Sequence, residues 1–139
     1  MHSVDTLIKR YREKGYRITP QRQMIFTALA GDDSHPTAED IYQRIKKQMP
    51  DLSRSTVYNT LNELVELGEL HEVDDFGTPR IRYDINTSHH HHLYCVQCHK
   101  LIDIEQEIGP IDVPSEVQTG FRVQRSQVTF FGLCSDCQD

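Results

Sequence analysis

The chain has 139 residues, a formal net charge of −6 and four cysteines. It is long enough to bury a core, and too acidic overall for a generic polyanion binder, whose phosphate contacts need clustered cations. No apolar run approaches the roughly 18 residues of a membrane span, and Met1-His2-Ser3-Val4-Asp5 lacks a basic region leading into an apolar stretch. A membrane role is therefore excluded, and a cytoplasmic location is expected.

The charge is unevenly spread. Lys9, Arg10, Arg12, Lys14, Arg17 and Arg22 face only Asp5 and Glu13 near the start of the chain, a basic arm that permits DNA binding on an acidic protein. Within it, Val4, Leu7, Ile8 and Tyr11 recur at helical spacing, so Val4 to Lys14 is predicted helical, with Gly15 as its stop. Thr19-Pro20 reads as an N-cap followed by proline at the first helical position, opening a helix through Ala30 with Met24, Ile25 and Leu29 inward. Thr37-Ala38-Glu39-Asp40 starts a third helix with an acidic first turn, and Pro50 lies beyond its end.

Ser53 caps a fourth helix that runs to Leu67 before Gly68. Val57, Leu61 and Leu64 form its inward stripe, leaving Arg54, Ser55, Tyr58, Asn59 and Asn62 outside. A merely solvated face more often carries Glu and Lys. An arginine, a hydroxyl, amides and an aromatic near a helix N-terminus are instead the groups that read base edges in the major groove. Two strands follow, Leu70 to Val73 and Arg80 to Ile85, joined by Asp74-Asp75-Phe76-Gly77-Thr78-Pro79. Helices followed by a hairpin are the order of a winged helix-turn-helix, with Arg80 and Arg82 placed to reach phosphates.

After Asn86-Thr87-Ser88 the pattern turns to strands, His89 to Cys95, Leu101 to Ile104 and Phe121 to Phe131, with a short helix expected around Pro114 to Thr119. On the first strand, alternation puts His90 and His92 on one face and His89 and His91 on the other, so one face can form a metal site; a solvated histidine cluster is the alternative. Cys95-Val-Gln-Cys98 and Cys134-Ser-Asp-Cys137 form two knuckles of equal spacing. In a chain without a signal peptide, that doubled spacing favours one structural Zn2+ per chain over disulfides. The expected class is α+β: a winged helix-turn-helix domain over residues 1–85, a hinge at 86–88, and a small α/β dimerisation domain with a four-cysteine zinc site over 89–139.

Taken together, Arg17-Ile18-Thr19-Pro20-Gln21-Arg22, His35-Pro36-Thr37-Ala38-Glu39-Asp40-Ile41-Tyr42, Ser55-Thr56-Val57-Tyr58, the His89 to His92 run and the two C-x-x-C pairs resemble the ferric uptake regulator family over nearly the whole chain. The resemblance implies a homodimeric repressor that binds an inverted repeat in double-stranded DNA, and the basic arm and the outer face of the fourth helix assign its contacts to Lys14, Arg17, Arg22, Arg54, Ser55, Tyr58 and Asn59. It also implies one regulatory Fe2+ or Mn2+ per chain held by His35, Asp84, His90, His92 and Asp103. Asp103 and Asp84 stand where iron sensors of the family usually carry Glu, and Asn59 where many carry Arg. The resemblance therefore points to the peroxide-sensing branch, with Fe(II)-dependent oxidation of His35 or His90. An iron-responsive repressor using the same residues reversibly is the alternative. A further metal site of some members looks incomplete, with Pro110 and Ser126 in place of Glu and His.

Readings from other classes fit less well. A metallohydrolase is disfavoured, because there is no H-E-x-x-H and five protein ligands leave little room for substrate and water. A pure interaction module leaves the outer face of the Ser53 helix unexplained.

Overall fold

A computed structural model describes residues 1–109, 111–117 and 119–139, which fall into two compact units, 1–87 and 88–139. The first unit contains α1 (Val4–Glu13), α2 (Pro20–Leu29), α3 (Ala38–Lys46) and α4 (Arg54–Glu66), then the antiparallel pair β1 (His71–Asp74) and β2 (Ile81–Asp84). Each helix start is capped by a hydroxyl. Ser3 accepts from the Thr6 N–H, Thr19 from Arg22 and Ser53 from Thr56, while Thr37 and Asp40 form a reciprocal capping box. Gly15 and Gly68 end α1 and α4 at positive φ, 84° and 73°, which a side chain disfavours.

The helices bury Leu7, Tyr11, Ile25, Phe26, Leu29, Ile41, Val57, Leu61 and Leu64 around one core. Met24, expected inward, is only half-buried; Phe26 fills the centre instead, its ring 4.8 Å from that of Tyr11. Phe26→Ala should cost about 3–5 kcal/mol, because the cavity lies among helices that cannot collapse together. Urea unfolding checks this, and a loss below about 1 kcal/mol would show that the core does not centre there.

Glu69, just after α4, is 1% exposed. Arg10 and the His2 ring both pair with its carboxylate, and the His2 N–H donates to it at 2.7 Å, so α1 is fastened to the base of the wing through a buried charge that is fully paired.

The second unit is a three-stranded sheet in the order β4 (Leu101–Ile104), β3 (His91–Cys95), β5 (Thr129–Gly132), with β4 antiparallel and β5 parallel to β3. The expected strand from Phe121 to Phe131 shrinks to Thr129–Gly132. β5 finds a partner only where β3 runs, from His92 opposite Thr129 to Cys95 opposite Gly132. The helix expected around Pro114 to Thr119 is a turn in its described part, closed by the Val117 N–H donating to the Pro114 carbonyl at 3.0 Å; Gln118 lies outside the described residues. Among the described residues of this unit, the buried apolar side chains are only Tyr94, Cys95 and Leu101. Leu93, Ile102 and Phe130 lie directly opposite one another on one sheet face and are 43%, 37% and 46% exposed.

Candidate metal centres and nucleic-acid interface

The two knuckles meet because β3 and β5 run parallel and end together. Cys95 closes β3, Cys134 follows β5, and the Val96 N–H donates to the Gly132 carbonyl at 2.9 Å. His99, at φ 65°, turns the chain after Cys98, and its N–H donates to the Cys95 carbonyl. Cys95, Cys98, Cys134 and Cys137 offer four sulfurs within 4.8 Å of one another, with Cys98 and Cys134 at 3.7 Å. A tetrahedron with Zn–S bonds of about 2.3 Å has edges of about 3.8 Å, so the donor set and its spacing fit zinc. The N–H groups of Cys98 and then Cys134 draw the Cys95 thiol down to about 6, whereas the neighbouring sulfur of Cys134 pushes Cys137 up to about 12. Four sulfurs so close become thiolates together only around a cation.

The histidine run alternates as strand geometry requires. The His90 and His92 rings meet edge to face at 4.6 Å, and the His89 and His91 rings do so at 5.0 Å. Cross-strand register sets His92 directly opposite Asp103, so Nε2 of His92 lies 3.1 Å and Nε2 of His90 3.2 Å from the same Asp103 oxygen. The other ring nitrogens orient the imidazoles. His90 Nδ1 donates to the Ser88 carbonyl at 2.7 Å, and His92 Nδ1 lies 2.9 Å from the amide nitrogen of Gln127. Sequence reasoning missed Gln127, whose place beside His92 depends on the β3–β5 register. Two imidazoles and a carboxylate converging in this way suit Fe(II), Mn(II) or Zn(II).

In the first unit, the loop before α3 is zipped to β2. The Tyr83 N–H donates to the Pro36 carbonyl at 2.9 Å, and Thr37 bridges to Arg82. This brings Nε2 of His35 to 3.4 Å from Asp84, both side chains being buried. His35 has φ 56°, in the left-handed region rare for residues bearing side chains, and such strain concentrates at functional positions. On the opposite face of β3, His91 is held below its ordinary range by burial and then by the His89 imidazole, and Nδ1 accepts the Val128 N–H at 2.9 Å. Of the incomplete further site, Ser126 is half-buried and Pro110 lies outside the described residues.

On α4, Arg54, Ser55, Tyr58 and Asn59 are exposed, as are Lys14 and Arg17. Arg22 is not a free surface cation. It donates to Glu63 at 2.8 Å and to the Arg17 carbonyl at 2.6 Å, and its guanidinium lies over the Tyr11 and Tyr16 rings. The wing also differs from expectation. Arg80 and Arg82 both turn to the buried carboxylate of Asp75, at 2.7 and 3.2 Å, and Arg82 is drawn largely inside. Burial pushes the Asp75 carboxyl up, but Arg82, Thr78 and Arg80 outweigh it and hold it below the ordinary range.

The sequence model of the Ferric uptake regulator family matches residues 13–131. The chain belongs to this family. Like other members of the ferric uptake regulator family, it is a transcriptional regulator and not an enzyme. It is 35% identical over 139 residues to the peroxide-responsive repressor PerR of Staphylococcus aureus strain USA300, covering 99% of this chain and 93% of that one. A solved structure of PerR from Streptococcus pyogenes is 30% identical with a TM-score of 0.58, over 99% of this chain and 95% of that chain. The ferric uptake regulator Fur of Helicobacter pylori shares the fold, with a TM-score of 0.75 at 20% identity over 99% and 95%. No helix among the described residues is long and apolar enough to cross a membrane.

Proposed function

We propose that this chain is a homodimeric, metal-dependent transcriptional repressor of the peroxide-sensing type. The observation that carries the reading is the pair of imidazoles, His90 and His92, fixed from behind and aimed at Asp103, in a chain 35% identical to a peroxide-responsive repressor. His35 and Asp84 supply two further donors. In this reading one ion, Fe(II) or Mn(II), takes all five residues, so its binding ties the DNA-binding unit to the C-terminal unit and selects the DNA-competent state. The four-cysteine site holds structural zinc, and the apolar row Leu93, Ile102 and Phe130 is the face a second copy covers.

When bound, Fe(II) would supply the redox chemistry that cleaves the O–O bond of hydrogen peroxide, lending one electron and recovering one from the oxidised ring. A ring C–H of His35 or His90 would thereby become C–OH, a gain of one oxygen, and the other peroxide oxygen would leave as water. An oxidised ring is a poorer donor, so the site loosens and the operator is released. The Mn(II) form lacks this chemistry and remains on DNA.

Duplexes selected from a random pool by Mn(II)-loaded protein test the repressor reading: they should carry an inverted repeat and be lost on chelation. No selection at all would refute it. On such a duplex, Asn59→Ala should weaken binding by about 1–3 kcal/mol for the selected sequence only, whereas Lys14→Ala should weaken all sequences alike and lower the salt slope by about one. Equal losses on selected and unrelated DNA would remove Asn59 from the reading set.

A further inference from the structure

At the first position of α4, Arg54 is exposed but not loose. Its Nε donates to one oxygen of Glu39 and its Nη2 to the other, both at 3.0 Å, and the guanidinium carbon lies 4.3 Å from the centre of the Tyr42 ring. Glu39 also accepts the Gln43 amide N–H at 2.8 Å. A carboxylate on one edge and an aromatic face beneath fix the plane of the guanidinium, where a surface arginine would ordinarily sample many rotamers. Hydrogen bonding from Arg54 and then Gln43 holds the Glu39 carboxyl at about 2, so the pair stays ionic throughout the range in which DNA is bound.

Of the five guanidinium N–H groups, Glu39 takes two on the Nε side. One Nη1 hydrogen and the second Nη2 hydrogen form the other edge, two parallel donors that match a paired acceptor, either two oxygens of a phosphate or O6 and N7 of guanine. Glu39 would also oppose DNA on its own, since a carboxylate beside a phosphate is repulsive.

We propose that Glu39 is a positioning residue for DNA recognition: it presents the outer edge of Arg54 to one paired acceptor of the operator. This rests on the repressor reading above and adds a residue that contacts no DNA itself. Any selected operator would be read by a pre-set arginine whose orientation depends on α3.

The test is a double-mutant cycle on Mn(II)-loaded protein, titrating the wild-type-selected duplex and an unrelated duplex of equal length at several salt concentrations. Glu39→Gln and Arg54→Ala should each weaken operator binding by about tenfold, and the double variant no further, because the two side chains act as one unit. Loss confined to the selected duplex assigns the acceptor to a guanine; loss on both, with a smaller salt slope, assigns it to a phosphate. A purely structural role would leave the cycle additive and the slope unchanged. Operator binding by Glu39→Gln as tight as wild type or tighter, or additive losses in the double variant, would overturn the inference alone. A wild type that selects no duplex would overturn it together with the repressor reading.

Discussion

Cys95→Ser or Cys134→Ser should leave the protein without bound zinc, unfold residues 88–139 and dissociate the proposed dimer, while the helical unit stays folded. The asymmetry follows from the two cores. The first unit surrounds Tyr11, Phe26 and Leu61 with a contiguous cluster. The second buries only Tyr94, Cys95 and Leu101 among its described apolar residues, each contributing about 1.5–3 kcal/mol. A structural zinc contributes about 10–16 kcal/mol of apparent binding free energy, which exceeds anything that sheet gains from packing. The measurements are metal content by elemental analysis, oligomeric state by sedimentation, and limited proteolysis, which should leave a helical fragment ending near residue 87. A zinc-free variant that remains a stable dimer would refute the assignment.

Low peroxide should strip the Fe(II)-loaded protein from its operator and leave the Mn(II)-loaded protein bound. Mass spectrometry of the Fe(II) sample should find one added oxygen on the peptide containing His35 or His90 and none in the Mn(II) sample. His92→Ala should abolish metal-dependent DNA binding altogether, since it removes the ring set directly opposite Asp103. Asp103→Glu should retain that binding and blunt the peroxide response: the added methylene moves the carboxylate that both His90 and His92 face at about 3 Å. If neither histidine gains oxygen and chelation alone restores transcription, the protein senses metal reversibly and the peroxide reading is wrong.

Local chemistry made the helical half legible. Thr19, Thr37 and Ser53 cap where capping rules place them, Gly15 and Gly68 stop their helices, and the stripe Val57, Leu61 and Leu64 is buried. What was not legible depends on partners distant in the chain. The run from Phe121 to Phe131 has strand-forming residues throughout, but the length of β5 is set by how much of β3 is available to pair. Burial of Glu69 depends on His2 and Arg10, and no pattern near residue 69 announces them. In the site, strand alternation alone separated His90 and His92 from their neighbours. The His35–Asp84 pair could be named only through the family resemblance, because it forms by zipping Pro36 to Tyr83. Charges were the least readable. Arg22, Arg80 and Arg82 looked like phosphate contacts and Arg54 like a reader of base edges, yet each is paired with a carboxylate of its own unit.

The parallel pairing of β3 with β5 separates what must be kept in this chain from what can vary. Strand pairing and the knuckles join Cys98 to Cys134 across 36 positions, so the stretch between β4 and β5 is anchored at both ends whatever its own conformation. The entropy of closing such a loop rises only with the logarithm of its length, about 0.6 kcal/mol for each doubling. Residues can therefore be added to or removed from that connection at little thermodynamic expense. A one-residue slip of β5 against β3 would carry Cys134 out of the cage and Gln127 away from His92 at a stroke. Sequence drift should thus accumulate in the connection, while the register of one four-residue strand keeps both metal centres intact.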